Sequence, residues 1–157
     1  MSLPRTPSQT VGPYYAIGLC RRAESVLAAD GVRLHGRLLD GRGEPIPDGM
    51  VEVWDGARWG RSGTDGDGRF SFTVAKPPPP RDDGAPRLDV LVFARGLLRH
   101  QVTRIYFPDE TEANAADPVL SSVDGTARVT LVAEAEDGAL HFDIRMQGDR
   151  ETVFFRA

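Results

Sequence analysis

The sequence predicts an all-β protein: a β-sandwich preceded by an extended N-terminal arm, with little helix. Three observations lead there. Short runs that alternate apolar and polar residues recur at roughly ten-residue spacing. Glycine- and proline-rich turns separate them. Almost nothing else in the chain asks for a helix. With 157 residues, there is enough chain for one domain with a real core. The expected division is an arm with a short helical or loop segment over residues 1–30 and the sandwich over residues 31–157.

The arm begins with "TPSQTVGPYY", Thr6 to Tyr15, which two prolines and a glycine interrupt and two tyrosines close. It reads as a disordered leader, as a metal-binding tyrosine pair, or as an arm that reaches into something else. "AESVLAAD" (Ala23–Asp30) has the length for a turn or two of helix. From there the pattern turns to strands. "VRLHGRLLD" puts Val32, Leu34, Gly36 and Leu38 on one side in period two. "GRGEPIPDG" is a loop, "MVEVWD" a strand, and "GTDGDG" a tight turn into the strand "RFSFTVA". "KPPPP" lacks the donors of a central strand and reads as an extended polyproline connector.

"RLDVLVFA" and "QVTRIYF" are the next two strands. In "PDETEANAAD", Asp109 and Glu110 stand at the start of a short helix, where carboxylates suit the dipole. "ARVTLVAEAE", then "DG", then "ALHFDIRMQG" predicts a hairpin, and "ETVFF" predicts a last strand.

Composition narrows the function classes. Apolar residues make up 40% and charged residues 27%, and the formal net charge of -4 speaks against a nucleic-acid partner. No apolar run approaches the roughly 18 residues of a membrane span. "MSLPRTPSQ" has neither the charged start nor the apolar stretch of a secretory signal. The single cysteine, Cys20, excludes an internal disulfide framework and suits a reducing cytoplasm.

The residues that could carry chemistry are few. His35, His100 and His141 stand apart, and no metal-binding spacing joins them, so a complete metal site within this chain is not expected. His35 sits among apolar strand residues, where a structural histidine is the default. His141, Asp143 and Arg145 alternate along "HFDIR". They form either an acid/base cluster or the solvated or subunit-facing side of a strand, and no nucleophile stands beside them. "TDGDG" resembles the opening of a calcium loop but lacks its later ligands, so a hairpin turn is the better account. Glu134 and Glu136 suit an exposed edge strand. Cys20, with no charged neighbours in view, reads as a small buried thiol. No nucleophile elbow or phosphate-cradling loop is present.

Two features remain. Gly12, Pro13 and Tyr14 form a narrow segment whose backbone can approach a flat ligand, while the tyrosines suit equally a clamp on a neighbouring subunit. Arg95 stands where a strand ends, either to grip a carboxylate or to make a surface salt bridge.

"TPSQTVGPYYAIGL", "LVFARG", "TRIYF" and "FDIRMQGDRETVFF" together resemble, in order and over nearly the whole chain, the non-iron chains of two-chain intradiol ring-cleavage dioxygenases. The resemblance implies an intradiol-dioxygenase-type β-sandwich that works in a hetero-oligomer. An iron-bearing β chain holds ferric iron there through two tyrosines and two histidines. The reaction implied is cleavage by dioxygen of a carboxylated catechol, protocatechuate, to 3-carboxy-cis,cis-muconate. In the aligned stretches, Asp89 and Leu91 take the histidine positions, and the "KPPPP" run takes one tyrosine's. The resemblance therefore implies no catalytic or metal-binding residue on this chain. It implies a substrate-pocket wall from Thr10, Gly12, Pro13 and Tyr14, with Arg95 near the substrate carboxylate. The chain is shorter than such chains after the arm and around Trp54 to Gly63. The competing reading is a stand-alone binding or structural β-sandwich module that has lost catalysis.

Overall fold

The computed structural model describes residues 3–12, 14–81 and 84–156. In chain order the strands are β1 (Val32–Leu39), β2 (Met50–Trp54), β3 (Trp59–Gly63), β4 (Arg69–Val74) and β5 (Arg87–Phe93). They continue with β6 (Gln101–Tyr106), β7 (Glu134–Glu136), β8 (Ala139–His141) and β9 (Ile144–Arg145). One sheet has the order β4-β1-β8-β7, with β9 pairing alongside β1; the other has the order β3-β2-β5-β6.

Period two makes the core. Leu34, Leu38, Phe70 and Phe72 of the first sheet face Val51, Val53, Val90, Val92 and Ile105 of the second, all buried in one cluster. Gly36 lies among them because the backbone after β8 crosses directly over it. A Cβ there would stand 1.8 Å from Phe142 O, so the strand tolerates only glycine at that point.

The expected strands at Val32–Leu39, Met50–Trp54, Arg69–Val74, Arg87–Phe93 and Gln101–Tyr106 are all present. The "DG" hairpin is present too: Asp137 and Gly138 both take positive φ (47° and 78°), as a type I′ turn requires, and β7 forms an exposed edge. Several details differ from the sequence expectation.

Trp59–Gly63 forms a strand where none was expected, joined to β2 by a turn in which Asp55 Oδ1 accepts the Ala57 and Arg58 N–H groups (2.9 and 2.6 Å). "TDGDG" is a tight turn, but its flanking strands part. Thr64 N–H donates to Gly49 O beside β2, whereas Leu38 N–H of β1 donates to Gly68 O, so the turn passes the chain from one sheet to the other.

Helix is more plentiful than expected, in short pieces: α1 (Tyr14–Leu19), α2 (Thr111–Ala116), α3 (Pro118–Ser122) and α4 (Gly125–Arg128), with 3-10 turns at Arg22–Ser25 and Val129–Leu131. The β-branched run after Ala127 is helical because Asp124 caps it. The Asp124 carboxylate accepts from Thr126 N–H (2.9 Å), and Thr130 Oγ1 donates back to Ala127 O (2.7 Å). "ETVFF" is not a strand. Threonine hydroxyls meet part of its hydrogen bonding: Thr103 Oγ1 donates to Val153 O (2.7 Å), and Thr130 Oγ1 accepts from Val153 N–H (3.2 Å). Only Phe155 bridges β6, at Val102.

His35 faces outward, half-buried, its ring 5.4 Å from that of His141. Cys20 is half-buried near Arg61, Glu24 and Glu52, correcting the expectation of no charged neighbours. Burial pushes its thiol up, against the pull of Arg61.

Candidate functional site

The arm and the end of β5 meet. β5 leads through Ala94 into a turn closed by Leu97 N–H on Ala94 O (3.3 Å), and Gly96 there has φ 88°. That is the position where a type II turn needs a left-handed residue. Thr10 Oγ1 accepts the Gly96 N–H at 2.8 Å across 86 residues of chain. Gln9 and Val11 on either side of Thr10 wall an open groove of about 770 Å³, which Phe93, Leu97, Leu98 and Phe155 also line. Arg95 borders a second groove of about 440 Å³, which shares Ala94, Leu97, Gln101 and Phe154 with the first.

The structure thus brings Thr10 and the Arg95–Gly96 turn together. It does not bring Gly12 or Tyr14 into either groove. Gly12 has nothing within 4 Å of where a Cβ would stand, and Tyr14 is 80% exposed. Pro13 lies outside the described residues. Arg95 takes its salt-bridge role within this chain, pairing through Nε with Asp48 Oδ2; its side chain stays 57% exposed.

The two tyrosines separate. Tyr14 begins α1 in solvent, while Tyr15 turns inward and donates its hydroxyl to Asp48 O (2.9 Å) and Phe93 O (2.8 Å). Burial first, then the Asp48 carboxylate, raises the hydroxyl pKa well above its ordinary value, so it stays protonated and a donor. The Tyr15 clamp is therefore made on its own chain. Sequence reasoning missed Asp48, which sits in a proline-rich loop with nothing to distinguish it.

Asp89 and Leu91, where the sequence resemblance would set a partner chain's histidines, lie on the outer face of β5. Asp89 there faces Arg104 Nε at 3.2 Å and Arg87 Nε at 3.6 Å, and Leu91 contributes no donor atom. Arg104 also lies over the Phe155 ring, 5.6 Å from its centroid. One carboxylate between two guanidiniums cannot hold a ferric ion, which needs several converging neutral or anionic donors and no adjacent cations. Among the described residues no group of three or more histidine, cysteine, aspartate or glutamate side chains converges elsewhere. No helix among them is long and apolar enough to cross a membrane.

No protein-family model matches the chain. It is 42% identical to the protocatechuate 3,4-dioxygenase alpha chain of Burkholderia cepacia, covering 98% of each chain. It is 35% identical to that of Pseudomonas putida, covering 98% of this chain and 96% of the other. The first alignment runs over 195 positions, more than this chain has residues, so stretches of that relative have no counterpart here. In fold it resembles the dioxygenase domain of a carbohydrate-binding fusion from Streptomyces sp. SirexAA-E (TM-score 0.56, 18% identity, 91% of this chain and 99% of that one). It also resembles an intradiol ring-cleavage dioxygenase from Tetranychus urticae (TM-score 0.54, 15% identity, 78% and 84% covered).

Proposed function

The chain belongs to the protocatechuate 3,4-dioxygenase alpha-chain family of intradiol dioxygenases, a subunit of an oxidoreductase, and from that premise we propose that it completes the substrate pocket of an iron-bearing beta subunit. The observation that carries this reading is the Thr10–Gly96 hydrogen bond, which joins the arm to the strand end that bears Arg95. Thr10, Gly12, Pro13 and Tyr14 form one wall of a pocket shared between the chains, and Tyr14, exposed here, is covered there. Arg95 offers a cation to the carboxylate of protocatechuate.

The division of labour follows from the residues. Ferric iron belongs on the partner, since the matching place in this chain holds Asp89 between two arginines. This chain supplies position and shelter: the arm confines the aromatic ring and excludes water, and Arg95 orients it by its charged end. No proton-transfer residue of this chain is required. The working setting is a cytoplasmic hetero-oligomer.

Two measurements test it. The chain purified alone is expected to be iron-free and inactive, gaining activity only when assembled with an iron-bearing partner; stoichiometric iron or turnover in the isolated chain overturns the reading. In the assembled enzyme, Gly12→Val is expected to raise KM or lower kcat for protocatechuate with iron content unchanged. Unaltered kinetics would reduce the arm to a subunit clamp.

A further inference from the structure

Arg95 has more support than a strand-end arginine needs in order to pair with a surface carboxylate. Its guanidinium comes nearest Asp48 at Nε, and among the described residues Nη1 and Nη2 make no hydrogen bond. A guanidinium presents two edges that can fork a carboxylate, one at Nε and one between Nη1 and Nη2. Pairing at Nε leaves the terminal edge free. Asp48 Oδ2 is shut off from solvent and accepts no hydrogen bond among the described residues, so its ion pair with Arg95 is what offsets its burial.

Asp48 is held in turn. The Tyr15 hydroxyl reaches both the Asp48 carbonyl (2.9 Å) and the Phe93 carbonyl (2.8 Å), the latter at the end of the strand from which Arg95 emerges. One side chain thus fixes the distance between the carboxylate's backbone and the arginine's. On the other side of the turn, Thr10 holds the Gly96 N–H. The turn is fastened at three points, and only the outer edge of Arg95 is left open.

We infer that Asp48 and Tyr15 are positioning residues for Arg95: Asp48 fixes the guanidinium by Nε so that its terminal edge receives the carboxylate of an aromatic substrate, and Tyr15 fixes Asp48 against β5. This rests on the proposed role of Arg95 at the shared pocket. An unheld arginine must be ordered by each substrate molecule that binds; here the ordering is built in, and it acts on the carboxylated end alone.

The test compares 3,4-dihydroxybenzoate with catechol, which lacks the carboxylate, in the assembled enzyme. Asp48→Asn is expected to raise KM for the dihydroxybenzoate about tenfold with a much smaller change in kcat. The kcat/KM for catechol should fall far less, and Asp48→Glu should recover part of the loss. Arg95→Ala should abolish the preference for the carboxylated substrate, and adding Asp48→Asn to it should cost nothing more. A preference that survives Arg95→Ala overturns the role of Arg95 and this inference with it. A preference lost in Arg95→Ala but kept in Asp48→Asn overturns the inference alone, as does an equal loss on both substrates. Tyr15→Phe, which keeps the ring, should lower the preference in the same direction by a smaller factor.

Discussion

Tyr15→Phe isolates the bond that fastens the arm. The substitution keeps the half-buried ring and removes one hydroxyl, whose single proton serves the carbonyls of Asp48 and Phe93. Losing a partly buried hydrogen bond costs about 1–2 kcal/mol, which raises the opening of the arm helix by a factor of about 5–30. Amide hydrogen exchange measures this directly at Tyr15, whose N–H donates to Gly12 O (3.3 Å), and at Cys20, whose N–H donates to Ala16 O (3.1 Å). The control is Tyr14→Phe, on a side chain 80% exposed, which should leave exchange unchanged. Equal exchange in the two variants would refute the anchoring role. Alkaline pH gives a second readout. The Tyr15 hydroxyl is held above its ordinary 10.0 in the folded chain, chiefly by burial, so folding favours its neutral form. That contribution is complete below pH about 10 and is lost as pH rises through the folded value. Tyr106, also raised by burial, behaves the same way. The alkaline fall in stability should therefore be shallower in Tyr15→Phe than in the unmodified chain.

Two further substitutions probe the scaffold. Asp117 is buried and accepts from Ala85 N–H (2.8 Å), the Tyr106 hydroxyl (3.1 Å) and Leu120 N–H (2.7 Å), the last as the cap of α3. Asp117→Ala strands these donors and should cost about 3–5 kcal/mol in urea unfolding, with Asp117→Asn recovering part; a loss under about 1 kcal/mol would mean that water replaces the carboxylate. Gly36→Ala drives a Cβ into Phe142 O and should cost about 3 kcal/mol or more. Gly12→Ala meets nothing and should leave the unfolding midpoint in place.

The strands that sequence reasoning found are those in which apolar alternation is strong, such as Leu88, Val90 and Val92 of β5 facing inward. β3 escaped notice because "WGRSG" has two glycines and an arginine where alternation would need apolar residues. Its pairing partner, β2, supplies the missing signal only in space. The run Val129–Leu131 looked like a strand because β-branched residues favour one, and the cap at Asp124 overrode that preference. The site divides in the same way. Thr10 and Arg95 belong to recognisable motifs. Asp48 lies in no motif, and Tyr15, visible only as half of a tyrosine pair, does not reveal its partners, because its bonds reach 33 and 78 residues along the chain.

The arginines on and around β5 show how local pairing decides what one residue type can do. Arg87 and Arg104 converge on Asp89, and the Arg104 side chain is only 20% exposed. Their charges are directed at a carboxylate of their own chain, and the surplus positive charge repels any metal cation from that face. Arg95, one turn beyond the strand, has a single carboxylate on its Nε edge and more than half of its side chain in solvent. It can therefore bind a second carboxylate without giving up the first, because a guanidinium has two edges and Asp48 lies against the Nε one. Replacing Asp48 with an apolar residue would leave the charge and remove the direction. A site that reads charge alone would tolerate that change; a site that must orient a planar, singly carboxylated ring would not.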